Sequence, residues 1–374
     1  MNLIIKKVES KADYKHFIEF PHNLYRNDEN YVPMLKIGAR EILSKKINPF
    51  FKHSSADNFI AIKEGAVVGR ISAIQNNNYN DFHGSNIGFW GFYDAIDDYS
   101  VSEALFQTVE KWNKEKKFES IIGPVNYSTN DTAGCLIDGF DIPPVFDMTY
   151  NKKYYQTHIE KYGFKKEMDL YAYMIYTSEV SDKSVKMANL IRTRLESRGI
   201  TIRKIDMKDF TNEVMKIKEV YNKAWENNWG FVPATDEEFM ALAKNFKMIV
   251  NPELVLLAEH KNKIVAFSLA VPNINEITIR FKNGNLFPFN IFKLLLNKHK
   301  TNYARIITLG VIEGYRKMGI EAAFYAHFTE FARKTGLIGG EASWILENNE
   351  NMRLAAENLN GKLYKTYRLF SKDI

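Results

Sequence analysis

One stretch concentrates the residues able to hold an anion: RIITLGVIEGYRKMGIEAAFYAHFTEFARKTG, from Arg305 to Gly336. Gly314, Arg316, Lys317 and Gly319 fall between an apolar run, Ile306 to Ile312, and a segment whose apolar residues Ile320, Phe324, Phe328 and Phe331 recur at helical spacing. The spacing predicts strand, turn and helix in that order, with Gly336 stopping the helix just after Arg333 and Lys334. A glycine-bearing turn at a helix start leaves main-chain N–H groups pointing outward beside the positive end of the helix dipole. The guest expected there is a pyrophosphate. The same residues also read as a solvated turn between two core elements. Other chemistries are less well supplied. The eight histidines form no HxxxH or HxH pair, and no GxSxG, GxxxxGK[ST] or GxGxxG occurs, so no metal, hydrolase elbow, P-loop or dinucleotide fold is expected. The single cysteine, Cys135, has no adjacent base and is expected to be an inert thiol.

VIEGYRKMGIEAAF, followed by GGEASWILENNENM and a closing GKLYKTYRLF, resembles the cofactor motif and C-terminal end of the GNAT acyltransferases, which move an acyl group from coenzyme A to an amine. Their turn is written Q/R-x-x-G-x-G/A. Arg316 and Gly319 fill its first two marked places, and Glu321 stands at the third, where a small residue is usual. The resemblance implies a coenzyme A thioester as co-substrate, its diphosphate on the turn Arg316, Lys317, Met318, Gly319 and Ile320. Its pantetheine arm would lie along Leu309, Gly310 and Val311 if the strand splays there. Transfer to a primary amine needs a base, an acid for the leaving thiolate, and a donor for the developing oxyanion. Glu341, opening the strand EASWIL, is the candidate base, with Asn348 and Asn349 for polar orientation. The family's acid is a Tyr seven residues after the Asn that opens the last helix, a place held here by Ala356. Tyr364 or Tyr367 is the substitute. Trp225, Trp229 and Phe231 are candidates for an apolar acceptor wall, or are simply core.

The resemblance therefore implies an N-acyltransferase. With Ala356 and Glu321 in place of the usual residues, its alternative is a catalytically inactive GNAT-fold binding protein. More loosely, GPVNYSTND…DGFDIPP and LFPFNIFKLL resemble tandem GNAT proteins linked to bacterial ceramide synthesis, which would imply a fatty acyl donor and a sphingoid base.

The elements that position these residues come in two copies. A shift of 219 positions (310 − 91) superposes Gly91 on Gly310, Val101 on Ile320, Leu105 on Phe324, Val109 on Phe328 and Trp112 on Phe331. The hairpins AIKEGAVVG, with Glu64-Gly65 at the turn, and AEHKNKIVA match as well. The expected fold class is α/β, two tandem GNAT-like domains, each a mixed twisted sheet flanked by helices. Residues 1–178 form a degenerate domain with a long polar loop. Residues 179–374 form the domain with the acyl-CoA turn, the boundary lying in TSEVSDKSVKM. In the first copy Asp97 and Asp98 stand where the second has its guanidinium, so only the second is expected to hold coenzyme A, the substrates meeting in a cleft between the domains. The first copy's loop carries Asn126, Asn130 and Asp131. It either lines the acceptor side or is a scaffold whose side chains satisfy its own backbone. Asn76 to Ser85 reads as a further loop.

Between second hairpin and turn lies NGNLFPFNIFKLLLNKHKT, whose segment Leu286–Lys300 reads as an acyl-chain seat, a contact with an anionic membrane surface, or a linker helix. The oligomeric state is not legible. The net charge of +6 suits anionic cofactors or surfaces, and no Lys/Arg stripe points to nucleic acid. No apolar run approaches the length of about 18 residues a spanning helix needs, and no signal peptide is apparent. The lone cysteine fits a reducing cytoplasm. The expected location is cytoplasmic, with a peripheral membrane contact as one reading.

Overall fold

A computed structural model describes residues 3–374. The chain divides into two compact units. One ends at Leu170 and adds Ile277–Leu294 and Lys365–Ile374, and the other comprises Tyr171–Glu276 and Leu295–Tyr364. The division thus falls earlier than the expected 178/179, inside a strand rather than in the polar stretch behind it. Composition marks a solvated stretch but not a strand that continues through a boundary, nor a last strand that returns its end to the first unit.

In the first unit β1 (Leu3–Lys7), β2 (Ser55–Lys63), β3 (Ala66–Gln75), β4 (Ile87–Ala95) and β5 (Ser120–Gly123) lie side by side, antiparallel except for the parallel β4/β5 pair. After β6 (Cys135–Asp138) comes β7 (Lys165–Tyr176), which leads into the second unit. There β8 (Ile200–Lys204), β9 (Val255–His260), β10 (Lys263–Pro272), β11 (Tyr303–Val311) and β12 (Gly339–Leu346) repeat the arrangement, with β11/β12 as the parallel pair. The last strand, β13 (Lys362–Asp373), pairs with β5 and β6 through its later residues. A helix crosses over each parallel pair, Tyr99–Glu115 in one unit and Ile320–Thr335 in the other.

The hairpin turns agree in backbone as well as sequence. Glu64 and Gly65 have φ of 53° and 79°, and Lys261 and Asn262 have 51° and 61°, the left-handed pair that lets two strands keep their twist. The apolar stripes of the crossover helices supply the cores. Val101, Leu105 and Val109 pack with Trp90 and Phe106 in the first unit, and Ile320, Phe324 and Phe328 with Ala266 and Val265 in the second. Each such side chain contributes about 1.5–3 kcal/mol by leaving water.

Asn76 to Ser85, expected as a loop, contains the helix Asn77–His83, whose N-cap Asn76 accepts from the Tyr79 N–H. Two turns that bury only Tyr79 carry too few apolar residues to show a period.

Gly91 governs what the first unit can hold. Register between β4 and β5 ends at Phe89↔Ile122. Beyond it the chain's own loop lies against β4, the Val125 N–H donating to the Trp90 carbonyl (2.8 Å) and the Phe92 N–H to Asn126 Oδ1 (2.8 Å). A Cβ at position 91 would lie 2.0 Å from the Val125 carbonyl oxygen. Gly91→Ala therefore evicts the loop or bends the strand, and is expected to destabilise by about 2 kcal/mol or more. Gly38→Ala, in the helix Lys36–Leu43 with open space around it, should instead stabilise by about 0.5–1 kcal/mol. Urea titrations of both variants check the pair; equal stabilities would refute the packing argument.

Candidate active site

The parallel strands of the second unit part company early. β11 and β12 are in register from Tyr303↔Gly339 to Ile306↔Ala342, after which Ile307 falls at a bulge and Thr308–Val311 pair with β10 alone. The Ile312 N–H donates to the Val265 carbonyl (3.1 Å), so by alternation Thr308 and Gly310 also turn their main-chain groups to β10. Leu309 and Val311 turn theirs to the open edge. Two side chains confirm the direction: Trp225 Nε1 donates to the Leu309 carbonyl (3.3 Å) and Arg316 Nε to the Val311 carbonyl (3.2 Å). The open edge thus presents two N–H groups and two carbonyls already engaged. Gly310 admits the end of the helix Phe210–Trp225, since a Cβ there would lie 3.1 Å from the Ala224 methyl.

At the end of β11 the turn has positive φ at Gly314 (87°), Lys317 (63°) and Gly319 (88°). Gly319 is also crowded, because a Cβ would stand 2.6 Å from Ile191 Cγ2 on the helix Asp182–Ser197. Being glycine, Gly319 caps the following helix with no side chain. The first amide of that helix to find a backbone acceptor is Ala323, bonded to the Gly319 carbonyl (3.2 Å). Among the described residues no acceptor meets the N–H groups of Arg316, Lys317, Met318, Gly319, Ile320, Glu321 or Ala322. Arg316 and Lys317 are exposed, whereas the Ile320 side chain is buried and only its amide faces the turn. Arg316 Nη2 additionally donates to the Ala224 carbonyl (3.1 Å), so the expected phosphate ligand holds two protein carbonyls.

The corresponding place in the first unit is closed. Its crossover helix is capped by Asp98, whose carboxylate accepts from the Ser100 N–H (3.0 Å) and pairs with Lys63 (2.8 Å). Lys63 holds that carboxyl down at about 2. With the loop at Val125 filling the strand gap, main chain and helix start are both satisfied internally.

Where β11 and β12 diverge, four polar side chains meet inside the second unit. Glu341, opposite Arg305 in register, has no exposed surface. Tyr364, on β13, donates its hydroxyl to Glu341 Oε2, and Ser343 donates to Oε1. Arg305 Nε donates to Ser343 Oγ (3.0 Å), and its guanidinium lies over the Trp344 ring at 5.2 Å. Glu341 and Tyr364 are thus brought into one hydrogen bond, with Tyr364 half-buried and Glu341 wholly so.

Asn349 is placed otherwise. It caps the helix Glu350–Asn358, its side chain accepting from the Met352 N–H (3.2 Å), and it follows the far end of β12. Five steps along the strand lead from Glu341 to Leu346, about 16 Å. Asn126 has both ends of its amide engaged in its own unit, by the Phe92 N–H and by Thr132 Oγ1 (2.7 Å). The Asn130 N–H bonds Ser128 Oγ (3.2 Å) and the Asp131 N–H the Ser128 carbonyl (3.0 Å), turns that satisfy the loop's own backbone. Trp225 stacks on Tyr221 (5.2 Å), which also meets the buried Phe231 (5.7 Å), and Trp229 is half-buried nearby in sequence. Burial pushes the Cys135 thiol up to about 12, as suits an inert group. Arg305 and Ser343 were missed in the sequence, where the one available signal was a lone arginine opening an apolar strand. Among the described residues no cluster of metal-ligating side chains occurs, and no helix is long and apolar enough to cross a membrane.

Two units of the same strand order, one groove filled by its own loop and the other open beside an uncapped helix, make up a tandem GNAT-like fold. Solved structures agree. A tandem GNAT protein from the clavulanic acid biosynthesis pathway superposes with a TM-score of 0.57 over 100% of this chain and 98% of its own, at 9% identity. A GCN5-related N-acetyltransferase from Sphaerobacter thermophilus gives 0.54 over 99% and 95%, at 14% identity. No family model matches the chain. Two curated proteins align over nearly all of it. Protein YghO of Escherichia coli (strain K12) is 36% identical over 99% of this chain and 95% of its own length. A bacterial ceramide synthase of Caulobacter vibrioides is 34% identical over 99% and 97%. The chain belongs to the family of these two proteins.

Proposed function

We propose that the second unit transfers an acyl group from a coenzyme A thioester to a primary amine. The observation that carries the reading is the gap between β11 and β12, with unpartnered turn amides at one end and the Glu341–Tyr364 pair at the other. The amides at Arg316–Ala322 would hold the diphosphate beside the helix dipole. The N–H groups of Leu309 and Val311 would pair with the extended arm and hold the thioester oxygen as charge develops on it. The amine nitrogen attacks the carbonyl carbon, a C–N bond forms and the C–S bond breaks. Because Glu341 is buried, Tyr364 meets the reactants. It takes the amine proton while passing its own to Glu341, then protonates the departing sulfur as Glu341 returns that proton. Both residues end as they began.

The finer reading is a fatty acyl donor and a sphingoid base, supported by the 34% identity to a protein named bacterial ceramide synthase. Such an acceptor is a lipid, which sets the reaction at a membrane surface. The test is incubation with sphinganine and either acetyl-CoA or palmitoyl-CoA, following free thiol and amide mass. Amide formed from palmitoyl-CoA supports the reading. Binding without turnover favours the non-catalytic alternative, and neither binding nor turnover rejects the site.

A companion experiment tests the assignment to the second unit. Arg316→Glu sets a carboxylate where the diphosphate is expected, and should weaken coenzyme A binding by about tenfold or more. Asp97→Lys, at a side chain 70% exposed on the first unit, should change it by less than about twofold. Equal effects in calorimetry would remove the distinction between the units.

A further inference from the structure

The segment following β10 departs from what a water-facing surface ordinarily looks like. Phe281, Leu286 and Leu294 are buried and anchor it, and the Gly284 carbonyl accepts from the Lys36 N–H (2.8 Å). From that anchor Phe287, Phe289, Phe292, Leu295 and Leu296 are exposed, Phe289 and Leu296 each to 74%. Along the helix Asn290–Asn297 and the residue before it, Phe289, Phe292 and Leu296 stand at i, i+3 and i+7, so they share one face. Leu294 occupies the inward side. Soluble chains rarely leave so many large apolar side chains together in water.

The charge around this face is one-sided. From Ile277 to Asn302 the chain carries no Asp or Glu, but holds Arg280, Lys282, Lys293, Lys298 and Lys300. Lys282, Lys293 and Lys300 are exposed, while Lys298 donates to the carbonyl of Met248, itself an exposed apolar residue. An apolar face on a segment whose only charged residues are Lys and Arg complements a surface that is apolar beneath and anionic above. A partner protein would need an apolar patch ringed by acids, whereas a bilayer containing acidic lipids offers that layering everywhere.

We infer that Phe287–Lys300 is a monotopic membrane-docking element, which inserts Phe289, Phe292 and Leu296 among the acyl chains of an anionic bilayer and sets its lysines against the lipid phosphates. It lies on the membrane rather than through it. The inference deepens the lipid-acceptor reading but is measured without substrate, so either can fail alone.

The experiment is co-sedimentation of the intact chain with vesicles of phosphatidylglycerol and phosphatidylcholine, against phosphatidylcholine alone. The wild type should pellet with the anionic vesicles and be released by salt. Phe289→Glu/Phe292→Glu/Leu296→Glu alters side chains that point into water, so the fold should survive, as circular dichroism will verify. Its vesicle affinity should fall about tenfold or more, and that of Lys282→Glu/Lys300→Glu by a similar factor. Undiminished pelleting of both variants overturns the inference. So does a wild type that ignores the vesicles, whether it instead dimerises through this face in light scattering or takes up palmitoyl-CoA there. Loss of vesicle binding with intact acylation of a short water-soluble amine would sink the docking element alone. Vesicle binding with no transfer would sink the transferase alone.

Discussion

Gly319→Ala is expected to abolish measurable coenzyme A binding at concentrations that saturate the wild type. Two independent effects converge on this position. Its φ of 88° lies in the left-handed region, which costs an alanine about 1–2 kcal/mol. Its Cβ would also stand 2.6 Å from Ile191 Cγ2, so the turn or the helix Asp182–Ser197 must shift. Either response re-aims the amides on which the diphosphate depends. Each 1.4 kcal/mol removes about tenfold in affinity, and the combined displacement exceeds two such steps by this reasoning, roughly a hundredfold. Gly314→Ala separates the contributions, because φ is 87° there but nothing lies near its missing Cβ. It should lose only the conformational share, about tenfold. Gly319→Ala/Ile191→Ala should recover part of the loss by making room. Calorimetric titration with coenzyme A reads all three, and wild-type affinity in Gly319→Ala would show that the turn holds no diphosphate.

The reasons Gly319 was legible in the sequence, and Ile191 was not, apply across the molecule. A glycine between an apolar strand and a helical stripe announces a turn from local pattern, and both copies of strand, turn and helix follow from the same periodicities. The hairpins at Glu64-Gly65 and Lys261-Asn262 were legible because left-handed turns favour particular residue types. What the chain does with distant residues leaves no such mark. Ile191 meets Gly319 from 128 positions away (319 − 191), and Val125 fills the gap beside Gly91 only because the strands there part. The acids at Asp97 and Asp98 were the sequence's reason to expect a first unit unsuited to a diphosphate. The stronger reason, an Asp98 side chain already capping its helix and a loop seated on β4, is geometric. Asn349, read both as the residue that opens the last helix and as a polar group to orient substrate, caps that helix with its side chain turned to the Met352 N–H.

Glu341→Gln and Tyr364→Phe are each expected to lower kcat by about a hundredfold to ten-thousandfold while leaving the KM for acyl-CoA within about threefold. The sequence proposed these residues separately, and one hydrogen bond joins them at the vertex of the open strands. In Glu341→Gln the amide would keep the shape but cannot take a proton, and its nitrogen would face a hydroxyl that presently donates. Tyr364→Phe would keep the ring and remove the hydroxyl of the only member of the pair that is not wholly buried. If the two work as one relay, Glu341→Gln/Tyr364→Phe should be no slower than the slower single variant, because each change already breaks the same path. Independent roles would instead multiply the losses. Asn349→Ala, which removes a helix cap, serves as the comparison. It should lower stability by about 1 kcal/mol and leave kcat within a few fold. Single-turnover rates with bound acyl-CoA distinguish the schemes, and near-wild-type rates in both Glu341→Gln and Tyr364→Phe would return this buried pair to a purely structural role beside Arg305 and Ser343.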